Sequence, residues 1–94
     1  MTKNIINPKE HEILWATIDK IAKDRNKSVS ALAIAAGLDP TAFNKSKRKN
    51  GDLYRMPTLT TILALMRVVG ISWYDWAEVW YSVEKKLQYQ PKGQ

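Results

Sequence analysis

The chain of 94 residues has a mass of 10.8 kDa, which is enough for one small domain. It contains no Cys, which excludes disulfide scaffolds, thiolate zinc sites and cysteine nucleophiles. The net charge of +6 favours an acidic partner such as nucleic acid or an anionic membrane. His11 stands alone, and we expect it on the exposed surface with no metal bound.

No apolar run approaches the roughly 18 residues of a membrane span, and no hydrophobic signal core opens the chain. We therefore predict a soluble, cytoplasmic protein that has no membrane partner, no cofactor and no evident small-molecule ligand. We expect a single domain over residues 1–94, with an ordered core at about 8–87. The polar tails at 1–7 and 88–94 should be loose.

The apolar spacing predicts an all-α protein, a small orthogonal bundle of five helices. The first helix covers about residues 8–25 and is capped by Asn7. The second follows Ser28 and ends at Gly37, because glycine readily adopts the left-handed conformation of a helix C-cap. A third helix over about 40–48 begins near Asp39.

The remaining chain predicts a loop and two more helices. Residues 49–57 form the loop, which contains a turn at Asn50-Gly51. The fourth helix covers about 58–69 and ends at Gly70, and the fifth extends from Ser72 to about Leu87. The apolar residues that the fourth helix should bury are Leu59, Ile62, Leu63, Met66 and Val69.

The second and third predicted helices carry a family resemblance. Residues 28–38 (SVSALAIAAGL) resemble the first helix and turn of lambda-repressor-like (Xre-type) helix-turn-helix domains. Residues 39–48 (DPTAFNKSKR) resemble the recognition helix of a subgroup found at the N-terminus of phage-type, LexA-like repressors. The Met56-Pro57-Thr58 and 69–72 (VGIS) motifs also match that subgroup, so the resemblance covers about residues 10–77. It implies a DNA-binding transcriptional regulator, repressor-type, of bacterial or phage origin.

The outward face of the third predicted helix is polar and basic. At 100° per residue, Ala42, Phe43 and Ser46 share one side, and the opposite side carries Thr41, Asn44, Lys45 and Arg48. In the major groove, Asn pairs with adenine and Lys or Arg with guanine. We predict base contacts from Thr41, Asn44 and Lys45, and from Arg48 either a base or a phosphate contact. The alternative is an ordinary solvated helix face.

The net charge is concentrated in this part of the chain. Residues 41–58 contain five basic residues and one acidic residue, so they carry +4 of the total +6. No apolar face lies beside this charge, which makes a membrane surface the less favoured partner. The predicted phosphate contacts are Ser28, Ser30, Lys47, Lys49, Arg55 and Thr58. Ordinary N-capping is the alternative for Ser28 and Thr58, and Tyr54 either contacts the DNA backbone or covers the core.

Apolar residues recur in the last helix at spacings of three and four. We expect Trp73 and Trp76 to pack against the first helix. The resemblance implies a symmetric dimer through the last helix, so we predict a homodimer interface at Trp80, Val83 and Leu87. Contact with a further domain and packing within the monomer are the alternatives.

A second functional class stays open beside DNA binding. The Trp-rich last helix is also compatible with a protein–protein interaction module, an adaptor or antitoxin-like partner. We predict no enzyme, because the chain has no nucleophile–base pair, paired carboxylates or phosphate-binding glycine loop. The self-cleaving peptidase of the larger repressors is not expected here. Whether the chain stands alone or belongs to a longer repressor stays open, as do the operator and the regulated genes.

Overall fold

The computed structural model describes residues 5–90 and Gly93, so the tail predictions for residues 1–4, 91, 92 and 94 lie outside the described residues. The described chain is mostly helical, as predicted. Its elements are α1 (Pro8–Asp24), α2 (Val29–Ala35), a 3₁₀ turn (Lys45–Lys47), β1 (Lys49–Asn50), β2 (Leu53–Tyr54), α3 (Leu59–Val69) and α4 (Trp73–Lys86). Along residues 5–90, no helix combines the length and hydrophobicity that a bilayer crossing requires.

Each of the α-helices α1 to α4 begins after a capping residue, as predicted at Asn7 and Ser72 and as the alternative allowed at Ser28 and Thr58. A side-chain oxygen accepts a hydrogen bond from a first-turn backbone N–H at each of Asn7, Ser28, Thr58 and Ser72. The predicted stops are also confirmed, since Gly37 and Gly70 have φ of +78° and +71°. These signals are local, which is why the sequence alone locates the helix ends well.

The core is centred on α1. Ile18, Ile21 and Ala22 form one buried cluster with Leu32 and Ala33 of α2. The cluster is completed by Leu14, Trp15, Phe43, Leu65, Met66 and Trp76. Each large apolar side chain buried in this way contributes about 1.5–3 kcal/mol. Phe43 is 1% exposed, so the chain segment after α2 is anchored to the core at this residue.

The buried faces of α3 and α4 differ in part from the predicted ones. Leu65 and Met66 are buried in α3, whereas Leu59 is 62% exposed and Leu63 is also exposed. Eight of the eleven residues of α3 are apolar, so apolar side chains are not confined to one face and their spacing does not single out the buried one. Trp73 was expected in the core and is instead 49% exposed at the start of α4.

The predicted third α-helix over residues 40–48 does not form. Residues 40–43 make a turn, Asn44 is extended with φ −67° and ψ 148°, and the 3₁₀ turn follows. The Phe43 carbonyl accepts hydrogen bonds from the Arg48 side chain at 2.8 and 3.2 Å. The Lys47 N–H, which an α-helix would direct to that carbonyl, bonds to the Asn44 carbonyl at 2.9 Å. Instead of the expected five helices, the part of the chain that the structure describes has four.

The predicted loop at 49–57 contains a short antiparallel hairpin. Lys49 pairs with Tyr54 and Asn50 with Leu53, around a turn in which Gly51 has φ +62°. Each strand is only two residues long, too short for an alternating pattern to predict it.

The C-terminal part of the chain is attached more firmly than predicted. The Tyr89 N–H donates to the Glu84 carbonyl at 2.9 Å, and the Tyr89 hydroxyl donates to Glu10 Oε2 at 3.2 Å. Partial burial, followed by this hydrogen bond to Glu10, raises the pKa of the Tyr89 hydroxyl. Tyr89 thus connects the end of α4 to the start of α1.

Candidate nucleic-acid interface

The segment after α2 begins with a turn organised by Asp39. The backbone N–H and hydroxyl of Thr41 donate to Asp39 Oδ1 at 2.8 and 2.6 Å. These hydrogen bonds, with a smaller effect from the charge of Lys47, hold the pKa of the Asp39 carboxyl below its usual value. Because the Thr41 hydroxyl proton is used in the turn, this predicted base contact has only acceptor capacity left for a partner.

Residues 44–47 form an exposed stretch between the buried residues Phe43 and Arg48. Lys45, Ser46 and Lys47 are exposed and Asn44 is half-buried. The sequence placed Ser46 on the inward side with Phe43, but the 3₁₀ geometry turns it outward. Residues 44–47 together form a small projecting loop, which we call the 44–47 loop. Its side chains offer amide, hydroxyl and ammonium groups.

Arg48 was predicted to contact DNA and is instead only 9% exposed. Its guanidinium donates to both carboxylate oxygens of Asp19, at 2.7 and 2.9 Å. It also donates to the Phe43 carbonyl and lies 4.6 Å from the centre of the Trp15 ring. Four of its five guanidinium N–H groups are used within the protein, which leaves no pair of donors to read a guanine, so the structure contradicts the predicted DNA contact at Arg48.

The backbone of Arg48 is bound as firmly as its side chain. Its carbonyl accepts from His11 Nε2 at 2.7 Å and from the Arg55 N–H at 2.9 Å. Because a carbonyl only accepts, His11 Nε2 carries the hydrogen. His11 is half-buried rather than exposed, and its ring lies 4.8 Å from that of Tyr54. Tyr54 is also half-buried, and both predicted alternatives, a contact with the DNA backbone and cover for the core, stay predictions.

Within residues 45–55, four cations lie outside the ion pairs of the described chain. Lys45, Lys47, Lys49 and Arg55 are exposed, and none forms a salt bridge within residues 5–90. The ammonium of Lys49 lies 5.1 Å from the Tyr54 ring centre. Lys47 and Arg55 line an open cavity with a volume of ≈ 380 Å³. The other lining residues are Trp15, Ala42, Met56 and Pro57. Unpaired, exposed cations on an ordered hairpin and turn suit the phosphate oxygens of a nucleic acid.

Two of the three hydroxyl residues with predicted phosphate contacts, Ser28 and Thr58, act as helix caps. Ser28 Oγ accepts from the Ala31 N–H at 3.0 Å, and Thr58 Oγ1 accepts from the Thr61 N–H at 3.1 Å. Both residues are exposed, and Ser30 is half-buried in the first turn of α2. The capping role of Ser28 and Thr58 is compatible with a phosphate contact, which stays a prediction.

The predicted dimer seam is largely covered within the monomer. Val83 is 6% exposed, so its predicted role in a dimer interface is wrong. Trp80 packs against the core cluster, and Leu87 lines a groove between α1 and α4. The aromatic residues of α4 that stay accessible are Trp73, Tyr74 and Tyr81. Residues 80, 83 and 87 lie on the α1 side because α4 packs mainly against α1.

Three residues of α1 shape this site although no sequence motif connects them with it. His11, Trp15 and Asp19 contact residues 29 to 40 positions away along the chain. No local pattern links positions so far apart. Comparison with protein-family models, curated proteins and solved structures finds no match to this chain. Function is therefore inferred from the residues and their geometry.

Proposed function

We propose that this protein binds double-stranded DNA in a sequence-specific manner and acts as a transcriptional regulator of the repressor type. In this proposal, α2 and residues 40–48 occupy the place of a lambda-repressor-like helix-turn-helix unit, with Gly37 in its turn. The resemblance of residues 28–48 to such domains supports the assignment. The segment that replaces the recognition helix is a turn followed by a 3₁₀ turn.

The observation that carries the proposal is the group of four exposed cations without acidic partners. Lys45 and Lys47 project from the 44–47 loop, and Lys49 and Arg55 project from the adjoining hairpin. A protein that kept this charge only for solubility would gain nothing from placing it beside an amide and hydroxyls. Phosphate contacts from these cations position the protein on the duplex, and they release counterions.

The contacts that distinguish one base pair from another are assigned to the 44–47 loop and Thr41. Asn44 has the donor and acceptor that match the major-groove edge of adenine, and Lys45 has donors for guanine O6 and N7. The proposed base contacts are thus Thr41, Asn44 and Lys45, and Arg48 is left out.

A binding selection on random duplexes, followed by anisotropy titrations on the selected sequence, tests the proposal. Asn44→Ala and Lys45→Ala should lose sequence preference while salt-sensitive binding persists. Lys49→Ala and Arg55→Ala should weaken binding to all duplexes by similar factors. Each should reduce the salt slope by about 1 for every bound protomer, because each protomer then neutralises one phosphate fewer. Lys23→Ala is the matched control, because it removes the same charge from the exposed surface of α1. Absence of any selected sequence, or a flat salt response of the wild type, would refute the proposal.

A homodimer through α4 is part of this proposal. Trp73, Tyr74 and Tyr81 are 49%, 72% and 60% exposed, and aromatic residues are enriched in protein interfaces. A twofold dimer would present two 44–47 loops to successive major grooves about 34 Å apart, which predicts a roughly palindromic operator. If each protomer neutralises about three phosphates, log affinity falls with log salt at a slope near −5.

The same aromatic residues favour the second candidate function, a protein–protein interaction module of the adaptor or antitoxin-like kind. Analytical ultracentrifugation with and without duplex DNA distinguishes the two functions. A DNA-binding protein sediments with the duplex at low salt. An adaptor ignores the duplex, and its α4 surface binds another protein.

A further inference from the structure

Arg48 connects three parts of the molecule at one point: α1, the turn that ends at Phe43, and the end of the hairpin at Arg55. Its side chain reaches Asp19 on α1 and the Phe43 carbonyl, and its guanidinium lies against the Trp15 ring. Its carbonyl accepts hydrogen bonds from His11 and from the Arg55 N–H at the end of the hairpin. These contacts hold the 44–47 loop and the hairpin against α1. The exposed cations of the two segments, which we call the basic surface, are Lys45, Lys47, Lys49 and Arg55.

The geometry at Phe43 shows what the side chain does. The 44–47 loop leaves the core at Phe43 and returns at Arg48, and the Arg48 guanidinium donates to the Phe43 carbonyl at 2.8 Å. The guanidinium therefore closes the neck of the loop. The bidentate pair with Asp19 holds the guanidinium in one orientation, because both carboxylate oxygens are engaged.

We infer that Arg48 is a positioning residue for DNA recognition, one that orients Asn44 and Lys45 through the closed loop neck without touching DNA itself. The inference rests on the proposed function. Arg48 has no role in steering the duplex, because Asp19 neutralises its charge and 9% exposure leaves it little contact with solvent. A lysine cannot replace it, because one ammonium has no planar fork to span the Phe43 carbonyl and both Asp19 oxygens.

The decisive variant is Asp19→Ala, which leaves Arg48 in place and lies outside every predicted DNA contact. We expect Asp19→Ala, Arg48→Met and Arg48→Lys each to lower the ratio of specific to non-specific affinity by about tenfold, comparable to a mismatched base pair. The salt slope should stay at the wild-type value in all three. The double variant Asp19→Ala/Arg48→Met should lose no more than either single variant, because both changes open the same neck.

General destabilisation is separated from positioning by a core variant. Ile21→Val weakens the buried cluster without touching the loop neck, and it should retain the wild-type affinity ratio. Titrations are made at a temperature where circular dichroism shows every variant to be folded. If Asp19→Ala keeps the wild-type ratio while Arg48→Met loses it, Arg48 contacts DNA directly and the inference is wrong. It is equally wrong if both variants keep the ratio.

Amide hydrogen exchange of the free protein keeps the inference testable without DNA. In Arg48→Met and Asp19→Ala, the Lys47 N–H should exchange about tenfold faster, with unchanged rates at Ile18 in α1. Unchanged exchange at Lys47 would mean that Arg48 does not hold the loop, whatever the DNA result. Faster exchange combined with no DNA binding by the wild type would retain the loop-positioning role and reject the proposed function.

Discussion

The indole Nε1 of Trp15 donates a hydrogen bond of 3.0 Å to the carbonyl of Arg55, forty residues further along the chain. The same ring lies under the Arg48 guanidinium and edge-on to Phe43, with ring centroids 6.3 Å apart. One side chain of α1 thus supports both the start and the end of the basic surface. The orientation of that surface relative to the core depends on this residue.

Trp15→Phe tests the support that Trp15 provides. Phenylalanine keeps an aromatic surface but removes the donor to Arg55 and leaves a small cavity, so we expect a decrease of about 1–2 kcal/mol in the free energy of unfolding. Urea denaturation followed by circular dichroism measures it. Trp73→Phe is the control, since its 49% exposure predicts a change within about 0.5 kcal/mol. Equal decreases in the two variants would contradict the assigned role.

Gly37→Ala tests the turn between α2 and the 44–47 loop. Gly37 has φ +78°, and a Cβ added there would meet no atom within 4 Å. The cost is therefore conformational rather than steric, about 1 kcal/mol of unfolding free energy. Thermal denaturation compares the unfolding midpoints of Gly37→Ala and Gly93→Ala. Gly93→Ala is the control, because a Cβ added at Gly93 also meets no atom within 4 Å. A midpoint at Gly37→Ala that equals the wild-type value would show that the turn rearranges without cost.

The capping box of α4 predicts a pH dependence. The backbone N–H and hydroxyl of Ser72 donate to Asp75 Oδ2, which lowers the pKa of the Asp75 carboxyl from 3.8. A carboxyl whose pKa is lower in the folded chain stabilises the fold above its unfolded pKa. That contribution disappears as the pH falls through the folded value. Unfolding midpoints of Asp75→Asn should thus lie below those of the wild type at pH 7 and converge with them below pH 3.8.

Ser72→Ala examines the other half of the capping box. It removes the acceptor for the Asp75 N–H and one donor to the Asp75 carboxylate, and it should cost about 1 kcal/mol at pH 7. Ser82→Ala is a matched control within α4, because the Ser82 hydroxyl bonds only to the Val79 carbonyl one turn earlier. Comparable costs at the two serines would argue against a special role for the cap.

The exposed aromatic surface of α4 makes a prediction about assembly. Tyr74→Ser/Tyr81→Ser should raise the dissociation constant of the proposed dimer at least about tenfold, measured by analytical ultracentrifugation. Leu59→Ser removes an equally exposed apolar side chain from α3 and should leave the dissociation constant unchanged. A dimer that survives the tyrosine changes would place its interface elsewhere on the protein.

The ends of the helices follow from the amino-acid sequence without knowledge of the packing. The sequence predicts caps at Asn7 and Ser72, and it leaves capping as the alternative to a phosphate contact at Ser28 and Thr58. All four act as caps, because a capping oxygen bonds to backbone only two or three residues away. The concentration of basic charge at residues 41–58 was equally visible, since charge is a property of composition. Such local signals do not depend on how the helices pack.

What those charges do depends on contacts between distant parts of the chain. Arg48 belongs to the same basic run as Lys47 and Lys49, yet Asp19, 29 residues earlier, draws it into the protein. The paired guanidinium also donates to the Phe43 carbonyl, which the expected third helix would need as a backbone acceptor. The 44–47 loop stands in the place of that helix. The buried face of α3 was decided in the same way, because most residues of this helix are apolar and more than one face could turn inward. Packing against α1 and α2 selects between those faces, and the periodicity of the chain does not encode that choice.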